Sequence, residues 1–139
     1  VIDAGYKPSQ LVVFKYANEG VGMLEDGLYV MGPKLKDPAF VAKMAKFVKA
    51  SMKGWDYARK HQKEAAKIVL AADTTGAQTM KHQLRMMNEI AKLLDKGNGE
   101  LDPKDYQRTV NTLLTGGSDP VITKKPEGAW THAVYKAMK

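Results

Sequence analysis

At 139 residues, with 44% hydrophobic, 27% charged and 8% aromatic content, the chain has the make-up of a soluble globular domain and is too short for two full-sized ones. No run nears the roughly 20 consecutive apolar residues of a membrane span, and the absence of cysteine excludes a disulfide framework, a thiolate metal site and a cysteine nucleophile. The formal charge of +7 rests on 22 basic against 15 acidic residues, yet only Arg59, Arg85 and Arg108 are arginine; with neither Arg forks nor aromatic residues clustered, a solvated lysine surface is expected rather than a nucleic-acid site.

Val1 to Tyr6 has neither the basic nor the apolar region of a signal peptide and no initiator Met, so the chain is expected to be either a processed one or, the preferred reading, a piece of something longer. Gln10–Lys15 and Gly27–Met31 are β-forming apolar runs bounded by Gly, Asn or Pro, and they predict two short strands. Between them the glycine-rich stretch from Ala17 to Gly27 predicts a mobile connection.

Near Pro33 the pattern turns helical. Asp37-Pro38 supplies an N-cap acceptor followed by proline at the first helical position. Phe40, Met44, Phe47, Val48, Met52 and Trp55 then recur at helical spacing, with Lys43, Lys46, Lys53 and Lys60 on the other side. A second helix is expected from about Gln62 to Ala72. Thr75-Gly76-Ala77-Gln78 has capping-box spacing, and Met80, Leu84, Met87, Ile90 and Leu94 mark the apolar face of a third. Asp102-Pro103 opens a fourth that carries Tyr106, Val110 and Leu113 and stops at Gly116-Gly117. Pro126 is expected to open a last helix bearing Trp130, Val134 and Ala137. The helices differ too much in length for a repeat array.

Several of these segments carry a family likeness. Lys36-Asp37-Pro38, Phe40-Val41, the run from Phe47 through Lys53-Gly54-Trp55-Asp56-Tyr57-Ala58, and Glu64-Ala65-Ala66 resemble the C-terminal part of the periplasmic solute-binding proteins of ABC importers, in the nitrate, sulfonate, taurine and thiamine-pyrimidine-precursor group. The resemblance runs from about residue 10 onward, and its most specific element is Lys-Gly-Trp-x-Tyr-Ala. It implies a parent α/β fold of the type II periplasmic binding protein kind, with two lobes. Residues 1–32 would be the end of the second lobe and a hinge crossing, and residues 33–139 a helical part returning to the first lobe.

The implied function is capture of a small polar or anionic organic solute for import, without covalent chemistry and without a cofactor. The implied partners are that solute, the importer's membrane permease and the missing N-terminal part of the same protein, with no nucleic acid among them. The implied location is periplasmic, or extracellular and lipid-anchored in a Gram-positive organism. One alternative is an enzyme similar to thiamine-pyrimidine synthases, whose cysteine-rich iron motif has no counterpart here; another is a basic helical interaction module.

Tyr16, Glu19 and Asp26 are the candidate ligand contacts, because the resemblance sets their glycine-rich connection near the cleft and hinge. A carboxylate there would accept from an amine or amidine, and Tyr16 would offer a hydroxyl or a ring face. Trp55 and Trp130 are assigned to packing. His61, His82 and His132 lack ligand spacing, so no metal site is expected. No serine stands in a nucleophile-elbow context, and neither Gly20-Val21-Gly22 nor Gly97-Asn98-Gly99 continues as a phosphate loop.

Overall fold

The structure, a computed structural model, describes residues 1–94 and 97–139. Among the described residues, four α-helices and one short terminal helix follow an N-terminal segment whose helical elements are 3₁₀ turns at Ile2–Ala4, Pro8–Gln10 and Gly32–Lys36. The helices are α1 (Pro38–Lys60), α2 (Gln62–Ala72), α3 (Met80–Leu94), α4 (Pro103–Thr115) and α5 (Ala133–Lys136).

The two strands expected at Gln10–Lys15 and Gly27–Met31 do not form, and no strand occurs among the described residues. The reason is pairing. A strand exists only when its N–H and C=O groups meet a neighbouring ladder, whereas these two segments run extended without bonding to each other. Their apolar side chains stay in solvent, with Phe14 75% and Tyr29 83% exposed. High β-propensity describes fitness for a half-buried pleated surface, and no such surface is available in this chain.

Helix starts follow the local chemistry more closely. The Asp37 carboxylate accepts from the Ala39 N–H at 2.8 Å, and Asp102 accepts from Lys104 N–H at 2.7 Å, each with proline at the next position. At α3 the expected cap at Thr75 is displaced. The helix begins at Met80, and it is the Thr79 hydroxyl that accepts from His82 N–H, at 3.2 Å. Thr75 instead belongs to a tight α2–α3 connection organised by Asp73. That carboxylate accepts from Thr75 N–H (2.8 Å), Thr75 Oγ1 (2.6 Å) and Gln78 N–H (2.9 Å). The same bonds, with the Thr75 hydroxyl foremost, hold its pKa below the ordinary 3.8.

α1 and α2 are separated at His61, whose backbone leaves the helical region (φ −125°, ψ 51°) while its ring stacks on Tyr57 at a centroid distance of 4.4 Å. α2 lies against α3 and α1. Its buried positions are Ala65 and Ala66, whose small side chains permit a close approach of neighbouring backbone. The expected α3 face of Met80, Leu84, Met87, Ile90 and Leu94 is half-buried along its length. α4 turns Tyr106, Val110 and Leu113 inward, and Val110 is buried.

The last helix is much shorter than expected. Residues 116–132 are turns and bends, and Trp130 precedes α5 rather than riding on it. It still docks the chain end: its ring lies 5.9 Å from Tyr106 and 4.8 Å from His132, and His132 Nε2 meets the Leu101 carbonyl at 2.8 Å. Trp55, assigned to the core, is 46% exposed.

Among the described residues only Ala45, Ala65, Ala66 and Val110 are buried apolar side chains. The accessible surface is 11148 Å². A compact monomer of 15.3 kDa would expose about 7,100 Å². The helices meet along their edges and enclose little, while the N-terminal segment adds uncovered apolar area.

Candidate functional site

An open concavity lies between the N-terminal connection and α4. A tight turn forms first: Asn18 N–H donates to Lys15 O at 2.8 Å, and Glu19 and Val21 N–H groups both reach Tyr16 O, at 3.2 and 3.1 Å. Gly20 takes φ of +75° at its apex, a conformation that side chains with a Cβ rarely adopt. At Gly22 an added Cβ would stand 3.1 Å from Ala17 Cα, so the turn also needs glycine there for its close return.

Two clips then fix this turn on α4. The Arg108 Nε–H donates to Gly22 O at 2.6 Å, and Leu24 N–H donates to Thr109 Oγ1 at 2.8 Å. Both α4 side chains are themselves held from Asp105. Its carboxylate accepts from Arg108 Nη2 at 2.6 Å, and its carbonyl accepts from the Thr109 hydroxyl at 2.9 Å. A guanidinium held through both Nε and Nη2 is oriented by geometry as well as charge.

The result is an open groove of about 600 Å³ lined by Gly20, Val21, Lys104, Gln107, Arg108, Asn111, Thr112, Thr115 and Gly116. The α4 residues among these recur every three or four positions on the face opposite Val110. Hydrogen-bond accounting gives the groove its character. Gln107 Nε2 donates to Asn111 Oδ1 at 2.8 Å, and the Thr115 hydroxyl donates to Asn111 O at 2.9 Å. That leaves the Asn111 amide N–H₂, the outer Arg108 N–H groups and the Lys104 ammonium as donors, with Gln107 Oε1 as an acceptor. A donor-rich wall with two cations suits the oxygens of a small carboxylate, sulfonate or phosphate ester.

Tyr16, Glu19 and Asp26 all lie exposed on this N-terminal stretch, with Tyr16 66% accessible, and none of the three lines the groove. Glu19 comes nearest in sequence, one position before the lining Gly20. Tyr16 acts through its carbonyl, which closes the turn, and Asp26 lies two residues beyond the Leu24 clip. Sequence reasoning did not select Lys104, Arg108 and Asn111. The available signal was the polar stripe at 104, 107, 108, 111 and 115, set against the apolar 106, 110 and 113.

Other polar groups are committed to packing. Tyr57 is held above the usual phenol range by its bond to Glu64 and then by burial, and Tyr135 is raised by burial and then by Glu100. Asn98 donates to Tyr135 Oη at 3.2 Å, and the Lys139 ammonium sits 5.2 Å from that ring centroid. Among the described residues no three His, Asp or Glu side chains converge as metal ligands, and no helix is long and apolar enough to cross a membrane. Comparison of the chain with protein-family models, with curated proteins and with solved structures gives no match.

Proposed function

We propose that this chain is the C-terminal part of an importer's solute-binding protein, capturing a small polar or anionic organic solute outside the cytoplasmic membrane and passing it to a permease. The observation that carries the reading is the uncovered apolar surface. Val12, Val13, Phe14, Leu28, Tyr29 and Met31 stand exposed on an N-terminal segment that is nonetheless anchored to α4 by the Arg108 and Thr109 clips. Burial of apolar area is the dominant favourable term in folding, worth about 25 cal/mol per Å². Side chains of this kind on one segment suit a surface covered by another part of the same protein.

The motif run ending in Lys53-Gly54-Trp55-Asp56-Tyr57-Ala58 supplies the family resemblance, and the donor-rich groove on α4 suits an anionic ligand. Capture needs no covalent step. The solute's better fit to a closed arrangement of the two parts would shift the population toward closure.

The test uses the complete protein that carries this chain, screened by thermal unfolding against sulfonates, amino-sulfonates, pyrimidines and aromatic acids. A captured solute at about 100 times its Kd adds about 2.7 kcal/mol of stability, a shift of several degrees. Saturable stabilisation without turnover is the expected result. Iron-dependent conversion of a pyrimidine precursor, or indifference to every class, would overturn the proposal.

A further inference from the structure

The outer face of α1 carries an unusual charge pattern. From Pro38 to Trp55 the helix contains Lys43, Lys46, Lys49 and Lys53 and no acidic residue. All four are exposed, and none of them makes an ion pair or side-chain hydrogen bond among the described residues. At 3.6 residues per turn Lys46, Lys49 and Lys53 fall within about 60° of one another, and the line from Lys43 to Lys53 is about 15 Å long. The stripe borders the side of the helix that carries half-buried Met44, Val48 and Met52, with Lys49 one turn beyond buried Ala45. Acids return only at Asp56, where Arg59 and Lys60 neutralise it at 3.0 and 2.6 Å.

Four like charges at three- and four-residue spacing on one helix repel one another. An extended anionic surface would relieve that repulsion. The chemistry of the stripe selects among such surfaces. It has no arginine, hence no fork for bidentate phosphate or carboxylate recognition, and no row of aromatic rings on which nucleobases would stack. Only Lys43 shares a face with the exposed Phe47, one turn on; Lys46, Lys49 and Lys53 lie about 100–160° around the helix from it. A row of lysine point charges without arginine matches an anionic bilayer surface, where ammonium groups meet headgroups through charge rather than through a bidentate fork.

We infer that the Lys43–Lys53 stripe of α1 is a peripheral docking surface for anionic lipid headgroups. This inference is independent of the solute-capture reading, because it concerns a different face and a different ligand.

The test is co-sedimentation of the complete protein with vesicles of phosphatidylcholine alone, or of phosphatidylcholine with about one-third phosphatidylglycerol, at about 50 and about 200 mM salt. Binding is expected to the anionic vesicles only, and weaker at the higher salt. The pair Lys46→Glu/Lys53→Glu should lower affinity at least 25-fold, on a scale of roughly fivefold per lysine. The charge-matched pair Lys124→Glu/Lys125→Glu should change it by less than about threefold, the outcome for a site away from the bilayer. Lys46→Gln/Lys53→Gln guards against a folding effect of the introduced acids and should still weaken binding. Equal binding to neutral vesicles, equal loss in both charge-matched pairs, or binding to RNA or an acidic polypeptide with no vesicle binding would each overturn the inference.

Discussion

Replacing Ala66 with leucine probes the packing of α2 against the helices beside it. Ala66 is 1% exposed and, with its buried neighbour Ala65, forms the α2 surface that lies against α3 and α1. Leucine is nearly as good a helix former as alanine, so α2 itself is not weakened. The added side chain has no space, and the helices must separate or the leucine must leave its preferred rotamers, at a cost of about 1–3 kcal/mol. For a chain of this size that corresponds to a fall of roughly 4–12 °C in Tm. The control is Ala71→Leu, at an exposed position of the same helix, with an expected change within about 0.5 kcal/mol. Thermal unfolding followed by far-ultraviolet circular dichroism reads both. Equal effects of the two substitutions, or a stabilising Ala66→Leu, would refute the close packing of α2.

Other consequences follow from the caps, the Asp73 turn and the α4 clips. Asp37→Ala and Asp102→Ala should each cost about 1 kcal/mol, and Asp→Asn at either site much less, because asparagine still accepts the capping N–H; denaturant titration checks this. Asp73 has a lowered folded pKa, so its contribution is present above the usual carboxylate range and is lost as pH falls through the lowered value. A carboxyl NMR titration should place Asp73 below 3.8, and Asp73→Ala should flatten the acid limb of stability against pH. Arg108→Gln removes the donor to Gly22 and the partner of Asp105. Cleavage by trypsin at Lys15, in the clipped turn, should then quicken several-fold while α1 to α3 keep their protection.

The helical part of the chain was legible where the determining forces are local. Asp37-Pro38 and Asp102-Pro103 each place a carboxylate within reach of an N–H two residues on, and nothing distant competes. The α3 periodicity likewise identified its half-buried face. The misjudged cap at Thr75 shows the limit of spacing alone. Asp73, two residues earlier, draws Thr75 and Gln78 onto its own carboxylate, which delays the helix to Met80. The strands at 10–15 and 27–31 failed for the opposite reason: a strand depends on a non-local partner, and apolar β-forming residues do not supply one. The end of the chain was overcalled because Trp130 reads as a helical anchor, whereas it anchors as a loop residue against Tyr106.

The candidate site was partly legible. The glycine-rich turn was identified as the place of interest, but attention fell on its acids and on Tyr16. The turn meets α4 through its backbone, and the polar groups that shape the groove come from α4, more than 80 positions away. A polar helical stripe carries no mark that separates a groove wall from a solvated face; only the clip from Arg108 to Gly22 makes the difference.

The proposed capture function requires that the apolar N-terminal side chains be covered in the complete protein. The chain has no cysteine, and in a complete protein from which any other cysteine has been removed, single thiols at Val12, Phe14 and Tyr29 can be compared directly with one at exposed Lys124 by their rates of reaction with a maleimide. The account predicts labelling at the first three sites slower than at Lys124 by tenfold or more in the folded complete protein, with the difference abolished in denaturant. Equal rates at all four positions in the folded protein would mean that no second part covers this surface, and would contradict the account.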